Sequence, residues 1–200
     1  PKIFNDSEKV LRYLGMIKEE NKRMLAQVDN VLQISRLEKN EVDIAKEPHD
    51  IHEIIEDAID HVYLLIEDKG GEVKTNLTAS LTDVSLNNMH FTNVMTNLLD
   101  NAIKYSPEAP KIEVITENTT PDFITIKVKD HGQGMSKIAV KRVFEKFYRE
   151  HTGNIHNVKG HGLGLAYVKN IVEDHNGQIS VESEKGKGST FTIKMPLIKK

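Results

Sequence analysis

The chain of 200 residues has no cysteine. That excludes disulfides and thiolate metal sites, and it fits a reducing compartment without requiring one. Net charge is also scarce. The formal value is −3, with both signs scattered along the chain, so there is no basic face of the kind nucleic acid needs. No apolar run approaches the ~18 residues of a membrane span. The most apolar helical stretch, "IIEDAIDHVYLLIE", carries four acids. No secretory leader is recognisable. The chain opens at Pro1 rather than Met, which leads us to expect a piece of a longer protein. Two phosphate-binding signatures are missing as well: there is no G-x4-G-K-[ST] loop, and no G-x-G-x-x-G follows a strand.

What is present is a moderate hydrophobic content, 38 %, spread over amphipathic elements. "NDSE" (5–8) has the spacing of a capping box and predicts the start of a helix running to about Glu38. Two adjacent apolar seams run along it, one through Leu14, Ile17, Met24, Val28 and Val31, the other through Leu11, Leu25 and Leu32. Two seams imply two neighbours, as in a four-helix bundle; packing on its own domain is the alternative. The polar stretch "KNEVDIAKEPHD" (39–50) reads as a junction, giving units of 1–43 and 44–200. The second unit is expected to be mixed α and β. It has a helix from Ile51 to a Gly70-Gly71 stop, a strand at 72–76 and a helix over 87–105. Strands at 111–116 and 123–129, helices at 138–148 and 164–175, and strands at 177–183 and 189–195 complete it.

The helix "NVMTNLLDNAIKYS" (93–106) has an unusual side. Val94, Leu98 and Ala102, with Met95, Leu99 and Ile103, form an ordinary buried stripe, but Asn97 and Asn101 stack four residues apart on another face. Asparagine is a poor helix former because its amide competes for backbone hydrogen bonds. Three glycine segments follow. "KDHGQGMS" sets Asp130 at a strand end beside Gly132 and Gly134. "KGHGLGLAYVKNIV" leads Gly160, Gly162 and Gly164 into a helix, and "GKGSTFTI" leads Gly186 and Gly188 into a strand. Bare N–H groups at a helix start can take an anion. A carboxylate beside side-chain-free backbone can accept from the exocyclic amine of a flat heterocycle such as adenine, and would repel the carbonyl of guanine. Each segment alone is ordinarily just a turn; in this order, behind the asparagine helix, they are far more specific.

At this point the sequence resembles the catalytic core of sensor histidine kinases, in the wider group that shares an ATP-binding fold with gyrase B and MutL. "NLLDNAIKYS" matches the N box, "DHGQG" the first glycine box, "VFEKFYRE" (143–150) the F box, "GHGLGL" the second glycine box and "GKGSTF" the last. The early helix ending "ISRLE" is similar to the second helix of the dimerisation and phosphotransfer hairpin. The fold implied is α+β: a long N-terminal helix of a four-helix-bundle hairpin, then a two-layer α/β sandwich that binds ATP.

The resemblance also implies roles. Asn101 would bind Mg²⁺ bridging the ATP phosphates. Asn97 would lie near the γ-phosphate, where ATP-hydrolysing relatives carry a glutamate base; an amide cannot replace that base. Lys104 and Tyr105 would contact phosphate and nucleotide. Asp130 would read adenine above Gly132 and Gly134, with Thr190 nearby. Gly162, Leu163 and Gly164 would bring backbone donors to the phosphates. Residues 136–161 would form a lid pinned by Phe144 and Phe147, and Arg149 would reach the γ-phosphate. His151, His156 and His161 in that lid read as solvated, with a metal site as the alternative. The implied partners are a response-regulator protein and a second copy of the full protein, with no nucleic acid and no membrane contact by this piece. Its implied location is cytoplasmic, with membrane anchorage of the parent left open. None of the nine histidines has the acidic neighbour and downstream Pro of a phospho-acceptor, which is expected upstream of Pro1.

Overall fold

In the computed structural model, the described residues are 9–18, 21, 45–150 and 162–199. The chain divides into two compact units, Pro1–Val42 and Asp43–Lys200. In the first, residues 9–18 are helical, with Leu11, Leu14 and Ile17 exposed. The capping box, "ISRLE" and most of both seams lie outside the described residues.

The second unit is built on a five-stranded sheet. Its strands are β2 (Glu72–Leu77), β4 (Lys111–Thr120), β5 (Phe123–Asp130), β6 (Gln178–Glu184) and β7 (Gly188–Pro196), ordered β2-β4-β5-β7-β6. β2 and β4 pair in parallel and the other neighbours are antiparallel. Period-two alternation gives the sheet one apolar face. Ile112, Val114, Ile124, Ile126, Val128, Phe191, Ile193 and Met195 are all buried there. The other face carries Lys127–Glu117 and Lys129–Glu113 pairs at 2.6 and 3.0 Å. Three helices cover the apolar face: α1 (Ile51–Asp68), α2 (Asn88–Lys104) and α4 (Gly164–Asp174). α2 buries Phe91, Val94, Met95, Leu98, Leu99, Ala102 and Ile103, the stripe read from its spacing. Truncating Met95, Leu98, Leu99 or Ile103 to alanine costs about 2–5 kcal/mol.

Three elements depart from the expected plan. The junction stretch ends in a strand, β1 (Glu47–Asp50), paired antiparallel with β3 (Asp83–Leu86). Four residues containing a proline read as loop, but a two-stranded ribbon is all edge, where a missing N–H is tolerated. The helix expected over 138–148 is only α3 (Lys137–Arg142), capped by Ser136 Oγ. It cannot continue through Phe147, which takes φ 62° and gives its N–H to Gly162 O at 2.9 Å. The other elements fall within one or two residues of expectation at each end, except β4, which runs on to Thr120. Among the described residues no helix is long and apolar enough to cross a membrane.

Candidate functional site

α2 positions the site. Asn87 caps it, accepting from His90 N at 3.1 Å, and the helix ends at Tyr105, whose N–H returns to Asn101 O. Different glycine segments meet its two ends. At the C-terminal end, Tyr105 O accepts from Gln133 N at 2.9 Å, and a Cβ on Gly132 would sit 2.6 Å from that same carbonyl oxygen. Nearer the middle, a Cβ on Gly164 would sit 2.7 Å from Asn97 Oδ1. Eight residues separate Asn97 from Tyr105, about 12 Å of helix, and Asn101 lies between. That is the length scale of an extended nucleoside triphosphate.

Asp130 closes the C-terminal end. It ends β5, and its side chain falls on the sheet's helix-covered face, 7 % exposed. Oδ1 accepts from Gly132 N at 2.8 Å and from Ser189 N at 3.2 Å. Both of these backbone N–H groups go to Oδ1, and the Ser189 side chain also faces the carboxylate. Burial pushes the carboxyl above its ordinary value, and those hydrogen bonds pull it part of the way back. Gly134 and Gly188 fit this end only without side chains. Their φ values are +60° and +99°, and a Cβ would lie 2.0 Å from Glu184 O and Asp130 O respectively.

The other end is a helix N-terminus. α4 starts after Leu163, which is buried and gives no side-chain cap, so among the described residues the first N–H groups of the helix have no side-chain cap. Asn97 Nδ2 donates to Asn93 O at 2.8 Å, which turns Oδ1 toward Gly164. The Asn101 side chain makes no hydrogen bond to a described residue. The site thus pairs a buried acceptor at one end with bare N–H donors and carboxamides at the other.

Comparison with known proteins decides which family builds this arrangement. Residues 86–199, more than half of the chain, match the model described as "Histidine kinase-, DNA gyrase B-, and HSP90-like ATPase". The chain belongs to that family. Its relatives are sensor kinases. It is 42 % identical over 186 residues to the sensor protein RprX of Bacteroides fragilis, covering 92 % of this chain and 36 % of that protein. It is 32 % identical to the sensor histidine kinase WalK of Bacillus subtilis, with 92 % and 30 % covered. The chain thus spans about a third of the length of these curated relatives. Among solved structures it is similar to the mycobacterial sensor histidine kinase MprB (27 % identity, TM-score 0.64, 76 % of this chain and 97 % of that chain). It also shares its fold with full-length ShkA, solved in complex with AMPPNP (23 % identity, TM-score 0.83, 94 % and 39 %).

Within this family site, the residues singled out from sequence fare unequally. Asn97, Gly164 and Leu163 come together at one end; Tyr105, Asp130, Gly132 and Gly134 at the other; Asn101 stands between. Gly162, with φ +70°, is packed against Phe147 and Tyr148. Lys104 is turned aside into an ion pair with Asp100. Arg149 is exposed on the stretch after the α3 turn. The lid histidines lie outside the described residues. Thr190 pairs in register with Lys129 on the sheet's outer face, whereas its neighbour Ser189 pairs with Asp130. Counting back from Phe191, Ile193 and Met195 by twos reaches Ser189 on the helix-covered face. Sequence reasoning also missed Ser183, whose hydroxyl accepts from Met135 N at 2.9 Å and donates to Gly188 O at 2.8 Å, tying the first and last glycine segments together.

Proposed function

We propose that this chain is the ATP-binding catalytic core of a sensor histidine kinase, which transfers the γ-phosphoryl group to a histidine and thence to a response-regulator aspartate. One observation carries this reading. The buried Asp130, with Oδ1 held by two N–H groups, lies one helix-half away from the contact between Gly164 and Asn97. Its carboxylate accepts from the adenine amine, and Gly132 and Gly134 let the neighbouring backbone close up around that end of the site. The N–H groups of Gly162, Leu163 and Gly164 meet the phosphates, helped by the α4 dipole.

The donor chemistry fits Mg²⁺. Asn101 offers a carboxamide oxygen, and Mg²⁺ commonly takes few protein ligands beside phosphates and water. When bound, the ion would neutralise charge on the phosphates. Asn97 lies where a base would have to act on water; its amide cannot take a proton, so the site holds ATP without spending it on hydrolysis. Lys104 and Arg149 are the cations available to the phosphates once their side chains turn toward them. Unit 1–43 belongs to the dimerisation hairpin of a homodimer, and 44–200 is the catalytic domain. Ser189, rather than Thr190, is the last-box residue at adenine. A response regulator is the partner; the related-fold kinase ThkA was solved in complex with response regulator protein TrrA. The cytoplasm is the location.

The test is γ-labelled ATP with the full-length protein. Acid-labile label on a histidine upstream of this unit, lost on Asn101→Ala, is expected. ATP binding without transfer would instead make this a nucleotide-binding module, the alternative to a kinase.

A further inference from the structure

α2 and α4 pack antiparallel, and three polar contacts mark the seam. Gly164 meets Asn97, Tyr167 meets His90 and Asn93, and His175 meets Asn87. Numbers rise on one helix as they fall on the other. The two helices are otherwise apolar on their buried sides, with Phe91, Val94 and Leu98 on α2 and Val168 and Ile171 on α4. The middle contact is a closed cluster. His90 is 9 % exposed and Tyr167 4 %. Tyr167 Oη lies 2.9 Å from His90 Nδ1, and the Asn93 side chain lies near enough to oppose the rise that burial imposes on the tyrosine's pKa. The hydroxyl therefore meets two polar side chains within an apolar interface.

An apolar helix pair tolerates several registers, whereas a buried polar contact is satisfied in one. That is how a single polar residue fixes register in coiled coils. Tyr167 sits one turn beyond Gly164, and Asn93 one turn before Asn97. A slip of one turn would carry Gly164 about 5.4 Å from Asn97. We propose that Tyr167, through His90 and Asn93, is a positioning residue that fixes the register of α4 on α2 and so holds the Gly162–Leu163–Gly164 N–H groups opposite Asn97. This rests on the nucleotide reading above. The cluster lies on the far side of Asn97 from Tyr105 and Asp130, so its effect is expected at the phosphate end alone.

The experiment is calorimetric titration of the chain with Mg·ATP and, separately, with adenosine. Tyr167→Phe keeps the ring and removes the hydroxyl. Its Mg·ATP affinity is expected to fall about tenfold, the scale of one hydrogen bond's worth of positioning, while adenosine affinity stays unchanged. The double variant Tyr167→Phe/His90→Leu leaves no unpaired ring nitrogen, guards against misfolding of the single variant, and is expected to show the same altered ratio. His90→Gln keeps an amide partner for the hydroxyl and is expected to stay near the wild-type ratio. Equal losses for ATP and adenosine, an unchanged ratio, or a His90→Gln ratio as low as that of Tyr167→Phe would each overturn the positioning role while leaving the functional reading intact. A wild-type chain that binds neither ligand would overturn both.

Discussion

Replacing Gly164 by alanine separates folding from binding. Its Cβ would lie 2.7 Å from Asn97 Oδ1 and 3.7 Å from Asn97 Cγ, with no other side chain of a described residue beyond its chain neighbours within 4 Å. The obstacle is the movable end of a side chain rather than backbone, so the fold can yield. Alanine in place of glycine favours a helix by roughly 0.5–1 kcal/mol. Pushing the Asn97 amide aside breaks its bond to Asn93 O, worth about 0.5–1.5 kcal/mol. The two nearly cancel, so the melting temperature should move by less than about 4 °C, the equivalent of ~1 kcal/mol for a chain of this size. Binding has no such compensation. Both the amide and the adjoining N–H donors shift, and hydrogen bonds to charged groups are worth about 1.5–3 kcal/mol, so Mg·ATP affinity should fall by a factor of ~10 to 100. At a ligand concentration a hundredfold above the wild-type Kd, the wild-type chain gains about 2.7 kcal/mol, whereas a thirtyfold weaker variant gains only about 0.9. Thermal melts with and without Mg·ATP read both quantities at once. A drop of 10 °C without ligand would mean that the contact is structural packing. An undiminished ligand-induced shift would mean that Asn97 and Gly164 are not at the phosphates.

Three further outcomes are expected. Asp130→Asn keeps an oxygen for Gly132 N and Ser189 N but removes a buried charge; because burial raises the wild-type carboxyl, the cost of ionising it appears as pH rises above the ordinary carboxylate range. Melts from pH 4 to 7 should therefore show the variant gaining on wild type with pH, while the preference for ATP over GTP disappears; parallel curves would refute the assignment of that cost. Gly134→Ala, at φ +60° with its Cβ 2.0 Å from a backbone oxygen, should lose about 3 kcal/mol or more in urea melts, and a loss below ~1 kcal/mol would refute the close approach of the first and last glycine segments. His175 is buried, its Nδ1 donating to Ile171 O at 2.7 Å and its Nε2 accepting from Asn87 N at 3.0 Å, and burial lowers its pKa from 6.5. Its stabilisation is complete above pH 6.5 and is lost as pH falls below that value, levelling off beneath the folded-state pKa. His175→Gln should flatten the melting curve between pH 7 and 5, and an unchanged slope would exclude His175 as its source.

The fold was legible where one physical signal dominated. The stripe on α2 follows from helical spacing, and β4, β5 and β7 follow from alternation, because burial of one face enforces each period. The ribbon of β1 and β3 was not legible. "EPHD" has no apolar pattern and pairs only because "DVSL" brings Val84 and Leu86 into the core, a contact 30 or more residues away in the chain. The premature end of α3 was hidden for a similar reason: Phe147 leaves the helix to bond Gly162 O, and nothing near 147 announces it. The site was read through its glycines, since backbone that must approach backbone leaves a residue-type signature. Ser183 and Tyr167 left none, because serine and tyrosine have many other uses in strands and helices.

The opening oddity of the asparagine helix has a physical explanation in the seam it makes. Asn93 and Asn97 both occupy the side that α4 covers, with Tyr167 at Asn93 and Gly164 beside Asn97. A run of leucines there would pack as tightly but could slide. The asparagines lower helix propensity by up to ~0.7 kcal/mol each, and the return is a pair of helices with one permitted alignment. That alignment matters only if something must be held between them to within a fraction of a helical turn. A phosphate chain gripped from both sides has that requirement; a purely structural helix pair does not.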